Sequence, residues 1–256
     1  MGEISPDVSP SGLSLKLAIT NSALRYFVIS EAHNQVIFFG DYTLHHVLND
    51  TDLSQRIEKI FEKDEVLQLP FHNKIVALDT KYSLVPSEFS FMINHQEQLT
   101  QQKSGTEIVF EGADVLVQSL KKLLPGVSLL HLSSTFFDLQ AQANSETLFV
   151  NVAPACFDII YFGQNNNLTL MNRYTYQAAT DFIYFLLLCC EELKIDREAT
   201  KLVLLGEVNE DSKIYELCYR YFRNVDFMQK PDEVNFSRAF DAFPKHLHYN
   251  LYNLKA

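Results

Sequence analysis

Tryptophan is absent from the 256 residues, so 20 Phe and 12 Tyr must supply the bulky core volume. Basic clusters are missing too. No Lys/Arg run exceeds the pair Lys121 and Lys122, and the formal net charge is −11. Phosphate backbones need a clustered basic surface, so a nucleic-acid partner is not expected. The four cysteines, Cys156, Cys189, Cys190 and Cys218, form no CxxC pair, which leaves zinc-ribbon and thioredoxin chemistry without support. They read as reduced thiols, and a reducing, cytoplasmic compartment fits them best. The longest apolar run, Phe182 to Cys190, is too short to span a bilayer, so no direct membrane insertion is expected. The leading MGEISPDVSPSG has acids and prolines where a signal peptide carries basic and then apolar residues. Residues 1–13 are expected to be disordered. Neither a G-x-x-x-x-G-K-[ST] loop nor a G-x-G-x-x-G turn occurs, which disfavours P-loop and Rossmann chemistry.

What is present is a pattern that occurs twice. Leu15–Thr20, Leu24–Ser30 and Gln35–Tyr42 read as three strands joined by short turns, hence antiparallel neighbours. A helix over Thr51–Leu67 follows, capped by Asp50 or Thr51, with Leu53, Ile57, Ile60 and Phe61 on one face. The order returns in Leu148–Val152, Phe157–Phe162 and Leu168–Tyr174, then a helix from about Tyr176 to Leu193. The run FIYFLLLCC in that helix predicts a fully packed element. A shift of about 133 residues superposes the first two strands and both turns of the halves, setting Leu15 on Leu148 and Tyr26 on Ile159.

Each half then closes with strand–helix–strand–helix. The first uses Thr106–Phe110, Ala113–Leu124, Val127–Leu132 and Ser133–Ala143. The second uses Lys201–Leu205, Asp211–Asn224, Val225–Met228 and Glu233–Phe243. Such units imply parallel pairing with right-handed crossovers. Aligning Ile108 with Val203 leaves the first half about 38 residues longer. The excess is assigned to about Gln68–Gly105, containing the strand Lys74–Leu78 and a mobile polar loop, NHQEQLTQQKSG. The expected organisation is a first unit over residues 14–143, with its insertion over 68–105, and a second unit over 144–256 that includes a C-terminal tail.

A β-meander, a helix, then β-α-β-α, present twice, is similar to the actin-like ATPase fold, an α/β architecture of two ribonuclease H-like units in tandem with a small inserted subdomain in the first. The nearest branches in pattern are the bacterial cell-division actin homologue and the actin-like protein of type IV pilus assembly. More narrowly, the chain resembles an uncharacterised bacterial family of this fold. The resemblance covers roughly residues 14–243.

It implies three nucleotide-cleft positions: the turn after the first strand of each unit, which usually carries an Asp and glycines for phosphate and Mg²⁺, and a Gly-rich turn after the fourth strand of the second unit, where adenine and ribose pack. Two of the three depart from that pattern here, and the third is nonspecific. The first turn offers Asn21 and Ser22, with no acid and no glycine. The second, NVAPACFD, puts Asn151 where an acid is expected, followed by Pro154, Ala155 and Cys156; Pro154 removes a backbone donor. The third keeps Gly206, followed by Glu207. An amide in place of the acid removes the charge that holds a cation.

The expectation is therefore a pseudo-ATPase with no catalytic residues and no cofactor, serving as a protein-binding scaffold or regulator. The alternative is a divergent ATP/Mg-binding ATPase or sugar-kinase-like enzyme. Asp41, Asp79 and Asp158 read as loop or surface carboxylates rather than nuclease metal ligands. His45 and His46 are neighbours whose side chains diverge, and His246/His248 lack a nearby acid or cysteine for a metal site. The tail HLHYNLYNLKA either docks on its own domain or stays exposed as a partner peptide.

Overall fold

The structure, a computed structural model, describes residues 12–93, 98–143, 147–163, 166–229, 235–236, 240, 244 and 246–255. The expected disordered lead-in lies almost wholly outside these. The chain forms two compact units. Unit 1 holds residues 1–137, 232–242 and 251–256; unit 2 holds 138–231 and 243–250.

Unit 1 is built on a six-stranded sheet. Strands β1 (Leu13–Ile19), β2 (Ala23–Ser30) and β3 (Gln35–Thr43) form the antiparallel meander. Helix α1 (Asp50–Lys63) leads into β4 (Asn73–Leu78), which pairs parallel with β1. The α1 cap is Asn49, whose side chain accepts from the Asp52 amide, one residue earlier than expected. A small antiparallel sheet follows, β5 (Tyr82–Pro86), β6 (Leu99–Lys103) and β7 (Thr106–Phe110), in the order β5-β7-β6. Helix α2 (Asp114–Leu123) and strand β8 (Ser128–His131) complete the main sheet against β4.

The insertion thus comes after the fourth strand, not before it. Asn73–Leu78 belongs to the main sheet, and Thr106–Phe110 belongs to the inserted one. Both stretches have strand-like composition. Both also end in a buried apolar run, Ile75–Leu78 and Ile108–Phe110, so what separates them is the partner: β1 for the first and β5 for the second. The polar loop is not a loop where it is described. Leu99–Lys103 pairs with Thr106–Phe110 through a two-residue turn in which Ser104 and Gly105 have φ of 48° and 74°, the geometry that matches strand twist. His131, fully buried, ties β8 to the insertion: its Nε2 lies 3.1 Å from the Thr80 carbonyl, and its ring packs on Tyr82 and Phe110.

Unit 2 repeats the plan without an insertion. Strands β9 (Thr147–Val152), β10 (Cys156–Phe162) and β11 (Leu168–Thr175) form the meander, followed by α3 (Ala179–Glu192), β12 (Lys201–Gly206), α4 (Lys213–Tyr221) and β13 (Asn224–Phe227). The order β11-β10-β9-β12-β13 matches β3-β2-β1-β4-β8. The register repeats as well: Leu15 faces Val28, and Leu148 faces Tyr161.

Phenylalanine does fill the place of tryptophan. The Phe157 ring contacts Phe182, Tyr174 and Tyr176 at 4.4, 5.6 and 5.9 Å. Helix α3 is not packed all round, because Tyr184 and Leu188 are 61% and 37% exposed on one stripe. Three cysteines are buried and all four are free thiols. Burial pushes Cys190 and Cys218 up to about 12, which makes them inert.

Two expected helices differ. Leu132–Ala141 winds as 3₁₀ turns. In place of a helix over Glu233–Phe243, Asn235–Phe236 forms β14, paired parallel with β3 at the edge of the unit 1 sheet; most of that stretch lies outside the described residues. The C-terminal tail docks rather than extends: Tyr249, Leu251, Tyr252 and Leu254 are all buried, and Tyr249–Tyr252 makes a single helical turn, α5.

Candidate functional site

Ligands on open α/β sheets bind beyond the carboxyl ends of parallel strands, because loops and unpaired amides gather there. In unit 1 that place on β1 is the turn holding Asn21 and Ser22. Both are exposed, and the turn is closed from within. The Thr20 Oγ1 accepts from the Ser22 amide at 3.1 Å and the Ala23 amide at 2.9 Å, while the Thr20 amide donates to the Ala23 carbonyl. No residue of the turn has positive φ, so its amides do not form the concave nest that cradles an anion.

In unit 2 the corresponding place brings together five of the positions read from the sequence. Asn151 and Gly206 lie at the adjacent ends of β9 and β12, where Leu205 faces Asn151 and Gly206 faces Val152. Gly206 has a φ of +83°, and a Cβ there would sit 2.2 Å from the Val152 carbonyl oxygen and 2.8 Å from Asn151 Oδ1. No other residue type fits. The Glu207 amide then donates to the Val152 carbonyl at 2.7 Å, sealing the two strand ends. Ala155 and Cys156 lie on the β9–β10 turn, which Tyr176 braces: its hydroxyl donates to the Ala153 carbonyl at 2.7 Å and its amide to the Ala155 carbonyl. Burial pushes the Tyr176 phenol up, with Cys156 and Glu207 adding to the effect.

Asn151 is buried, and its Nδ2 donates to Asp158 Oδ2 at 3.0 Å. Asp158 is not a surface carboxylate. It is fully buried on β10 and gripped by Arg173, Nε to Oδ1 at 2.8 Å and Nη2 to Oδ2 at 3.1 Å. Both of its oxygens therefore accept from a fork of donors, which satisfies the buried carboxylate from within the chain. Arg173 was legible. A hairpin centred on QNNN sets it opposite Asp158, an opposite-charge cross-strand pair.

The tail supplies what sequence reasoning missed. The Gly206 amide donates to the His246 carbonyl at 3.0 Å. The His246 imidazole stacks on Phe227 with centroids 4.4 Å apart, its Nε2 2.7 Å from the Val208 carbonyl. The Asn250 amide group reaches Asn151 Oδ1 at 3.4 Å. Local sequence carries no signal for this docking, because 38 to 99 residues separate the hydrogen-bonded partners.

The arrangement is a poor fit to a phosphate and a hydrated cation. The acid position is an amide committed to Asp158, the Ser22 and Ala23 amides of the first turn are engaged by Thr20, and the glycine amide is engaged by His246. Among the described residues no three His, Cys, Asp or Glu side chains gather as a metal site. Among the described residues no helix is long and apolar enough to cross a membrane.

Known structures share this architecture. A Bacteroides thetaiotaomicron protein with actin-like ATPase fold and unknown function superposes with a TM-score of 0.73 at 16% identity, over 88% of this chain and 94% of its own. The PilM–PilN type IV pilus biogenesis complex matches at 0.61 and 11%, over 94% and 97%. The ethanolamine utilization protein EutJ from Carboxydothermus hydrogenoformans matches at 0.52 and 10%, over 96% and 90%. No curated protein matches the sequence. A family model covers residues 8–225, and with its two actin-like units this chain belongs to that family, the protein of unknown function family DUF3822.

Proposed function

We propose that this chain is a catalytically inactive, pseudo-ATPase member of the actin-like fold, working in the cytoplasm as a scaffold or regulator for a protein partner, its two units descending from one duplicated unit. The observation that carries this reading is the Gly206 amide, the one glycine donor at the three turns, given over to the carbonyl of the chain's own His246. The closed Thr20 turn and the amide at Asn151 point the same way: each uses within the chain a group that a nucleotide would need. A protein partner draws support from the PilM–PilN complex, in which a protein of this fold is recorded with another protein. No cofactor is expected. Calorimetric titration with Mg-ATP tests the reading: no binding heat is expected, and micromolar affinity would overturn it.

One observation favours a second reading, a divergent ATPase or sugar-kinase-like enzyme using Asn21, Asn151 and Gly206. Gly206 keeps the left-handed conformation at the end of a central parallel strand, as a ligand-approach glycine does. A crystal soaked with an ATP analogue and carrying it against Gly206 would establish that reading.

A further inference from the structure

The unit 1 sheet has two buried faces of different character. One packs on helix α1, where Leu53, Ile57 and Phe61 are buried and Tyr26 and Tyr42 both donate to Asp64 Oδ2 just past the helix end. The other face centres on Phe27, fully buried, with Lys16 beside it across the β1–β2 ladder. Its cover is the last stretch of the chain. The Tyr252 ring lies parallel to Phe27 with centroids 5.0 Å apart and edge-on to Phe236 at 5.2 Å, and the Tyr252 carbonyl accepts from Lys16 Nζ at 2.7 Å.

Three features separate this cover from ordinary core. Leu251–Leu254 adds no strand to the sheet and winds only one helical turn, so lifting it breaks no rung of the ladder. The Tyr252 hydroxyl is buried with no hydrogen-bond partner among the described residues, a state that folded proteins ordinarily avoid. The Lys16 amine is held out of water, pushed down to about 8 by burial and then by the nearby Lys255. Release of the segment relieves both penalties. It exposes an aromatic platform with a cationic donor at its edge.

We infer that the Phe27 face of unit 1 is a peptide-docking site which residues 251–254 occupy in cis, and that its partner is a segment of like pattern, aliphatic–aromatic–x–aliphatic, with phenylalanine preferred to tyrosine because the site offers the hydroxyl nothing. This rests on the protein-scaffold reading above and names the chemistry of the partner.

The test uses the full chain and a fluorescent synthetic peptide of the sequence Tyr249–Lys255, made with and without Tyr252→Phe. When the resident segment is loosened by Tyr252→Ala in the chain, the competent fraction rises, and the peptide should bind about tenfold more tightly than to the unaltered chain. The phenylalanine peptide should bind more tightly than the tyrosine one. Conversely, Tyr252→Phe in the chain should slow hydrogen exchange at residues 251–254 and weaken peptide binding severalfold. Equal or absent peptide binding to the Tyr252→Ala chain would overturn the inference. So would loss of folding in that variant, since Tyr252 would then be plain core. None of these readouts involves nucleotide, so the Mg-ATP titration stands or falls separately.

Discussion

Asn151 and Asp158 face each other across the β9–β10 ladder, the amide of one donating to the carboxylate of the other at 3.0 Å. The relationship gives the missing acid a structural cause. A carboxylate at position 151 would place two acids side by side in a buried site with Arg173 as the shared counter-charge.

Asn151→Asp is accordingly expected to destabilise the protein by about 2–4 kcal/mol near neutral pH, read as a lower Tm, without gain of Mg-ATP binding. One of the paired acids would then hold its proton to a higher pH in the folded state than in the unfolded chain. The deficit should shrink on acidification and grow as pH rises through that raised value. A variant as stable as the parent at pH 7 would contradict the assigned hydrogen bond.

Gly206→Ala should be more severe than a glycine change at an open turn. The Cβ would meet the Val152 carbonyl oxygen at 2.2 Å in a left-handed backbone conformation. A loss of about 2–4 kcal/mol is expected in chemical unfolding. Gly126→Ala is the control: it also has positive φ, 76°, but nothing lies within 4 Å of its Cβ, so it should lose about 1 kcal/mol from the backbone alone.

Docking of the tail on unit 2 should weaken in acid. Burial holds the His246 imidazole below its ordinary value, an effect its hydrogen bond to the Val208 carbonyl only partly offsets. A base whose folded value is depressed binds fewer protons folded than released. Its contribution is complete above about pH 6.5 and is lost as pH falls from there towards the depressed value. The amide resonance of Gly206, which reports its bond to the His246 carbonyl, should shift over that window in ¹H–¹⁵N spectra. His246→Phe keeps the ring on Phe227 and should abolish the pH dependence; a shift that persists in that variant would rule His246 out as its source.

Much of the architecture was legible because it is written in short-range pattern. Period-two alternation and tight turns located both meanders, and the same offset that aligned Leu15 with Leu148 returns in the strand register. The order of the fourth strand was not, since KIVAL and TEIVF are alike in propensity and both end in a buried apolar run, and partner choice belongs to hydrogen bonds with β1. Helix α3 misled in the other direction: apolar composition on every side does not decide which side finds a neighbour, and Tyr184 and Leu188 found none that covers them. At the candidate site, Asn151 was visible as a departure from a resemblance, Gly206 as a position kept and Arg173 as the cross-strand partner of Asp158, whereas His246 and Asn250 became meaningful only once the chain had folded.

By itself the sequence determined that two α/β units of one pattern would form, that phenylalanine and tyrosine would fill their cores, and that no acid would stand at either meander turn. These follow from residue chemistry within about ten positions of each other. Tertiary structure alone decided where the insertion attaches and that the C-terminal residues rest on Gly206 and on Phe27. Those outcomes depend on contacts between segments from some 40 to more than 200 residues apart, or on strands choosing among equally apolar neighbours. Packing and hydrogen-bond geometry select among such alternatives, and no local window of sequence contains them.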